Sequence, residues 1–86
     1  METEKRICFR LYAPKAHEVA VVGTFNHWSK ILPMEREEDG TWRLWMSLAP
    51  GCYEYRFMVD GSWTNDPNCT QRLRNAFGAE NDVLNV

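Results

Sequence analysis

The sequence predicts an all-β fold, a β-sandwich of the immunoglobulin-like type, and three observations carry that reading. Apolar residues recur with the two-residue period of half-buried strands. Turn signals built from Gly, Pro, Asp and Asn separate those runs at a spacing of roughly 8 to 12 residues, and no stretch of useful length has helical period. A chain of 86 residues has room for one domain, spanning 1–86, and none for a glycosidase barrel.

The first strand is expected over Ile7 to Tyr12, where Ile7, Phe9 and Leu11 alternate with Cys8, Arg10 and Tyr12. Ala13-Pro14 ends it. Glu18 to Gly23 holds the β-branched run Val19-Ala20-Val21-Val22, which suits a strand covered on both faces. Glu38-Asp39-Gly40 turns the chain into Thr41 to Leu48, with Trp42, Leu44, Met46 and Leu48 on one face and Arg43, Trp45 and Ser47 on the other. After the reversal at Ala49-Pro50-Gly51, Tyr53 to Val59 alternates Tyr53, Tyr55, Phe57 and Val59 against Glu54, Arg56 and Met58. Asp60-Gly61 is a strong two-residue hairpin signal, with Trp63 just beyond it. Asn68 to Glu80 lacks periodicity, and Val83 to Val86 reads as the last strand.

Composition removes several function classes. Hydrophobic residues at 44% and charged residues at 26% describe a chain that folds rather than a disordered tail. The ten Lys and Arg are scattered between Lys5 and Arg74 in a chain of net charge −2, so no footprint for a phosphate backbone is visible and nucleic acid is not an expected partner. Met1 to Arg6 has no apolar leader segment and no apolar run is long enough to span a bilayer, so the expected location is cytoplasmic, away from membranes. Cys8, Cys52 and Cys69 are odd in number and lack CxxC spacing, so they read as thiols. Cys8 and Cys52, within strands, read as small hydrophobes. Trp28, Trp42, Trp45 and Trp63 are more tryptophan than so small a core can easily enclose, so some indole surface is expected to face solvent.

Three segments then resemble one known family: Gly23-Thr24-Phe25-Asn26-His27-Trp28, the stretch from Tyr55 through Asp60-Gly61-Ser62-Trp63 to Asp66-Pro67, and the closing Phe77-Gly78-Ala79-Glu80-Asn81-Asp82-Val83-Leu84. They are similar to the glycogen- and starch-binding modules of carbohydrate-binding module family 48. These are also called early-set domains, and they occur before the catalytic barrel of branching and debranching enzymes and in the β subunit of AMP-activated protein kinase. The resemblance runs from about Phe9 to Val86. It implies an early-set β-sandwich, no cofactor, α-glucan or malto-oligosaccharide as ligand, and a glycogen-metabolism enzyme or kinase subunit as protein partner. It also implies that Trp28, Arg56 and Trp63 contact sugar and that Phe77 and Asn81 lie on a loop that grips the glucan. This chain departs from the kinase subunit at Ala79, where a threonine hydroxyl is missing, and at Arg56, which replaces a lysine.

The chemistry of the same residues agrees with that role. A glucose ring offers an apolar face of C–H groups and a rim of hydroxyls, so a site for it needs flat aromatic surface and a few fixed polar groups. Trp28 and Trp63 can supply the surface, Arg56 a planar donor fork, and Asn81 both a donor and an acceptor. Each residue also has a plainer reading. Trp28 can plug one end of a sandwich, Arg56 can be a solvated strand residue paired with Glu54, Asn81 can satisfy loop backbone groups, and Phe77 can be core.

No catalytic or metal-binding set stands out. Asp60 and Asp66 are accounted for by their Asp-Gly and Asp-Pro turns, the Glu35, Glu37, Glu38, Asp39 run reads as a solvated loop, and His17 and His27 match no metal spacing. Two other roles stay open: an early-set domain used for protein interaction, which an exposed Trp45 favours, and an N-terminal accessory domain of a branching or debranching enzyme. The cysteine reading is directly testable. Alkylation without reductant, followed by mass spectrometry, is expected to label three thiols per chain, and a reproducible intramolecular bridge would refute it.

Overall fold

Two antiparallel sheets meet across the alternating apolar residues of the long strands, in a computed structural model that describes residues 3–86. The strands are β1 (Lys5–Tyr12), β2 (Val19–Gly23), β3 (Leu32–Pro33), β4 (Glu35–Arg36), β5 (Thr41–Leu48), β6 (Cys52–Val59), β7 (Ser62–Thr64), β8 (Arg72–Arg74) and β9 (Glu80–Asn85), with one 3-10 turn at Thr24–Asn26. The smaller sheet has the order β1-β5-β4. The larger runs β3-β2-β6-β9-β8, with β7 also paired to β6. β7 and β9 share one edge of β6, with β7 alongside Phe57–Val59 and β9 alongside Cys52–Tyr55.

Inward residues of both sheets build the core. Phe9, Leu11 and Trp42 come from the smaller sheet, and Val19, Val21, Tyr55 and Phe57 from the larger. Phe9 meets Tyr55 edge-on at 5.1 Å across the interface. Val21 and Phe57 are wholly buried, which contributes about 1.5–3 kcal/mol for each side chain. All five residues of β2 are buried, as a strand covered on both faces requires. On β5 the period-two reading holds, with Trp42 buried and Trp45 half exposed on the opposite face beneath the Arg6 guanidinium, 4.6 Å from its ring centroid.

Several expectations are corrected. β1 starts two residues early, at Lys5, and the last strand covers Glu80–Asn85 rather than Val83 to Val86, so Asn81 lies on a strand and not in a loop. Asn81 and Asp82 are buried, and polar residues in a strand leave no apolar alternation to read. β3, β4, β7 and β8 are two or three residues long, too short for a periodic signal, and Glu35 is part of β4. Cys52 is exposed, because it shares the outward face of β6 with Glu54 and Arg56 near the strand's start, so it is not a buried hydrophobe.

The segment between β7 and β9 is held by polar groups. Asp82 is wholly buried, and a buried carboxylate must be paired and hydrogen-bonded. Its Oδ1 accepts from Arg72 Nε at 2.9 Å and its Oδ2 from the Asp66 backbone N–H at 2.7 Å. Arg72 also donates to the Asp66 carbonyl at 3.0 Å. The Tyr55 hydroxyl donates to Asp66 Oδ2 at 2.6 Å, and burial, followed by that bond, pushes the phenol pKa far above its usual value.

Trp42 tests the packing account. Its Nε1 donates to the Ala13 carbonyl at 2.9 Å while its ring fills the core. Trp42→Ala is expected to lower unfolding free energy by about 3–5 kcal/mol in a denaturant titration. A loss below about 1 kcal/mol would contradict the assignment of this strand's inner face.

Candidate functional site

The candidate site lies on the outward face of the larger sheet. Glu54, Arg56 and Met58 point outward from β6 because Tyr53, Tyr55, Phe57 and Val59 point in. Trp63 stands opposite Met58 in the β6–β7 register and so emerges on the same outer face. The turn between them has Asp60 at φ 48° and Gly61 at φ 83°, the paired positive values of a type I′ hairpin. Asp60 adds a second constraint, since its Oδ1 accepts from the backbone N–H groups of His17 and Glu18, each at 2.8 Å. Those bonds hold its carboxyl below the ordinary Asp pKa, so they persist until the pH falls through that lowered value.

Trp28 arrives from the far end of β2. Gly23 passes so close to β6 that a Cβ would lie 2.6 Å from the Glu54 carbonyl and 2.4 Å from the Phe25 ring, so a larger residue would force the strands apart. Thr24 then replaces the ladder, its Oγ1 accepting from the Glu54 N–H at 2.9 Å. His27 and Trp28 both have positive φ, at 58° and 59°, and the Trp28 N–H returns to the Gly23 carbonyl at 2.9 Å. Two consecutive non-glycine residues in the left-handed region are uncommon, and such local strain clusters at functional sites.

The third wall is the hairpin between β8 and β9. Asn75 organises it: Oδ1 accepts from the backbone N–H groups of Phe77 at 2.9 Å and Ala79 at 3.2 Å, and its own N–H donates to the Ala79 carbonyl at 2.7 Å. Its Nδ2 donates to Asn81 Oδ1 at 3.3 Å, and Asn81 Nδ2 donates to Glu54 Oε1 at 3.2 Å. This chain of amides ties the hairpin to β6. Phe77 is left 94% exposed at the tip.

Together these elements enclose an open cleft of about 480 Å³ lined by Trp28, Arg56, Trp63, Asn75, Phe77, Ala79 and Asn81. The two indoles meet edge-on, with centroids 6.4 Å apart and planes at 73°. The Arg56 guanidinium lies 5.1 Å from the Trp63 ring centroid, a cation–π contact. A second cleft, of about 520 Å³, opens beside β1, but its walls include the core residues Phe9, Leu11 and Tyr55 and hold no exposed indole.

All five residues singled out in the sequence, Trp28, Arg56, Trp63, Phe77 and Asn81, therefore line one cleft. Their individual states differ from the expectations in part. Trp63 is 47% exposed, but Trp28 is half-buried against it. Arg56 stacks on Trp63 and forms no ion pair with Glu54 among the described residues, and Asn81 serves neighbouring side chains rather than loop backbone. Phe77 is not core. Asn75 joins the cleft from outside that set, and an Asn two residues before an aromatic and three before a glycine is a legible Asx-turn signal.

The fold and cleft define a small β-sandwich domain with an open cleft lined by aromatic side chains. Its family follows from comparison with known proteins: residues 8–86 match the model for the glycogen recognition site of AMP-activated protein kinase, and the chain belongs to that family. It is 40% identical over 84 residues to Protein FLOURY ENDOSPERM 6, chloroplastic, of Oryza sativa subsp. japonica, covering 98% of this chain and 16% of that protein. It is 36% identical over 69 residues to the 5'-AMP-activated protein kinase subunit beta-1 of Rattus norvegicus, covering 80% of this chain and 24% of the subunit. The chain thus spans less than a quarter of the length of either relative. A pullulanase from Bacillus acidopullulyticus shares the fold, with a TM-score of 0.72 at 23% identity over 100% of this chain and 11% of that one.

Asn75 gives the geometry a direct test. Asn75→Ala removes the two hydrogen bonds that shape the hairpin and the one that ties it to Asn81. Amide exchange at Phe77 and Ala79 is expected to accelerate by about tenfold or more, as loss of about 1.4 kcal/mol of local protection implies. Unchanged exchange would mean that Asn75 does not hold the loop.

Proposed function

We propose that the cleft binds α-glucan, and that the chain is a binding module for glycogen, starch or malto-oligosaccharides with no catalytic role of its own. The observation that carries the reading is the pair of indoles set at 73° across one cleft. Sugar rings stack on aromatic faces through their C–H groups, and successive glucoses of a curved α-1,4 chain can meet two tilted planes in a way that a straight β-1,4 chain cannot. In this reading Trp28 and Trp63 are the stacking surfaces, Arg56 donates to hydroxyls, Phe77 closes over the chain from the hairpin tip, and Asn81 fixes the wall behind it. Membership in the glycogen-recognition family supports the ligand class.

The cleft lining contains no carboxylate, whereas glycoside hydrolysis uses two flanking the scissile bond. Asp60 and Asp66, the nearest candidates in sequence, spend their oxygens on the His17, Glu18 and Asn68 N–H groups and on Tyr55. Recognition in the service of a larger assembly is the role that fits, and a kinase subunit among the relatives supports a protein partner of that kind. Trp45, 51% exposed on the opposite sheet, offers a face for such a partner that leaves the glucan cleft free.

An open cleft with two aromatic platforms is expected to bind at roughly micromolar to millimolar Kd, about −4 to −8 kcal/mol. Titration with maltoheptaose is expected to change tryptophan fluorescence saturably, with a cello-oligosaccharide far less effective. Trp63→Ala should raise Kd by about 5- to 150-fold, the loss of roughly 1–3 kcal/mol of stacking, while Tm stays nearly unchanged. No response of the wild-type protein to millimolar maltoheptaose would refute the proposal.

A further inference from the structure

The cleft's charge is unbalanced. Arg56 is its only ionisable lining residue, and among the described residues no carboxylate lies within 4.0 Å of its guanidinium. Glu54, two residues along the same outward face, is engaged by Asn81 instead. The Arg56 Nε is buried with no hydrogen-bond partner, an arrangement that is costly for an ionised group. Two other arginines have carboxylate partners: the exposed Arg72 with Asp82 and the half-buried Arg43 with Glu37. Arg56 has the Trp63 ring centroid 5.1 Å from its guanidinium, a cation–π contact that leaves the charge unneutralised.

A neutral oligosaccharide can accept hydrogen bonds from this group but leaves its charge uncompensated. From this we infer that the site prefers glucan bearing a phosphate monoester on a glucose hydroxyl, a refinement that rests on the α-glucan reading above. A phosphate monoester carries about −1.5 to −2 charge at pH 7 and three acceptor oxygens, and a guanidinium fork matches two of them at once. A sugar held in this cleft would lie beside the guanidinium, which lines it together with both indoles, so a phosphate on one of its hydroxyls would be within reach. The half-buried Trp28 and the Trp63 ring cover one side of the guanidinium's surroundings, so a pair formed there is screened less than one fully in water. Arg rather than Lys suits the role, because a point charge cannot make the two-pronged contact.

The test compares maltoheptaose with maltoheptaose monophosphorylated at a glucose 6-hydroxyl, by isothermal titration at 20 and 300 mM NaCl. The expected result is a Kd roughly 5- to 30-fold lower for the phosphorylated sugar at low salt, with the advantage shrinking at high salt while the neutral sugar's Kd changes little. Arg56→Gln should bring the ratio of the two Kd values close to one, and Arg56→Lys, a smaller change to the fold, should leave an intermediate ratio. Inorganic phosphate alone should bind far more weakly than the phosphorylated oligosaccharide. Equal affinity for the two sugars, or a preference that survives Arg56→Gln, would overturn the inference while leaving α-glucan binding intact. Inorganic phosphate binding as tightly as the phosphorylated sugar would also overturn it, since the site would then read the anion and not the glucan. Failure of both sugars to bind would remove the inference together with the reading it rests on.

Discussion

The buried carboxylate of Asp82 is the constraint around which the second half of the chain is arranged. An ionised group with no exposed surface is tolerable only where several donors converge on it, and here they come from Arg72 and the Asp66 backbone. Those two partners sit on opposite sides of the irregular connection that precedes β8. Residues 72–74 are all exposed, so apolar burial contributes little to holding β8 against β9. Tyr55 extends the same network into the core through Asp66, linking a polar anchor to the packed aromatic cluster of Phe9, Tyr55 and Phe57. The hairpin that carries Asn75 and Phe77 is thus an extension of a strand pair fixed by charge.

Rigidity at the cleft comes from three separate attachments to one strand. β6 receives Trp28 through Thr24 and the close pass of Gly23, Trp63 through the type I′ turn, and the Asn75 hairpin through the amide chain to Glu54. Asn65 adds a fourth tie, its Nδ2 donating to the Glu80 carbonyl at 2.9 Å, so that β7 and β9 are joined beyond their pairing with β6. Loops from distant parts of the chain are thereby held on a stiff sheet, which limits the ordering cost of any ligand bound there. The polar groups facing outward from β6 therefore differ: Glu54 is tied to the Asn75 hairpin through Asn81, and Arg56 has no carboxylate partner among the described residues.

The long strands were legible because each has one wet face and one dry face. Phe9 and Leu11 in β1, Trp42 in β5, and Tyr55 and Phe57 in β6 all lie where the two-residue period puts them, and the opposite faces assigned to Trp42 and Trp45 follow from their odd spacing. Trp28, Arg56, Trp63, Phe77 and Asn81 could be singled out because family resemblance and sugar chemistry point to the same residues. The strand position of Asn81 is not legible because β9 buries the polar pair Asn81 and Asp82, and β8 is not legible because its three residues are all exposed, so neither shows hydrophobic alternation. Asn75 carries a local Asx-turn signal, but its tie through Asn81 to Glu54 on β6 exists only once the sheet has assembled.

By itself the sequence determined which residues face inward along the long strands, where the Asp60-Gly61 turn falls, and that four tryptophans exceed the capacity of so small a core. These are local properties, governed by the pleat of a strand and the dihedral preferences of a few turn residues. Only the tertiary structure decided that Trp28 packs at an angle against Trp63, that Arg56 stacks there with no carboxylate partner, and that Asp82 is paired in the interior. Each of those facts depends on the register between strands far apart in the chain. Register is set by the packing of all the strands together, so it is not encoded in any one segment.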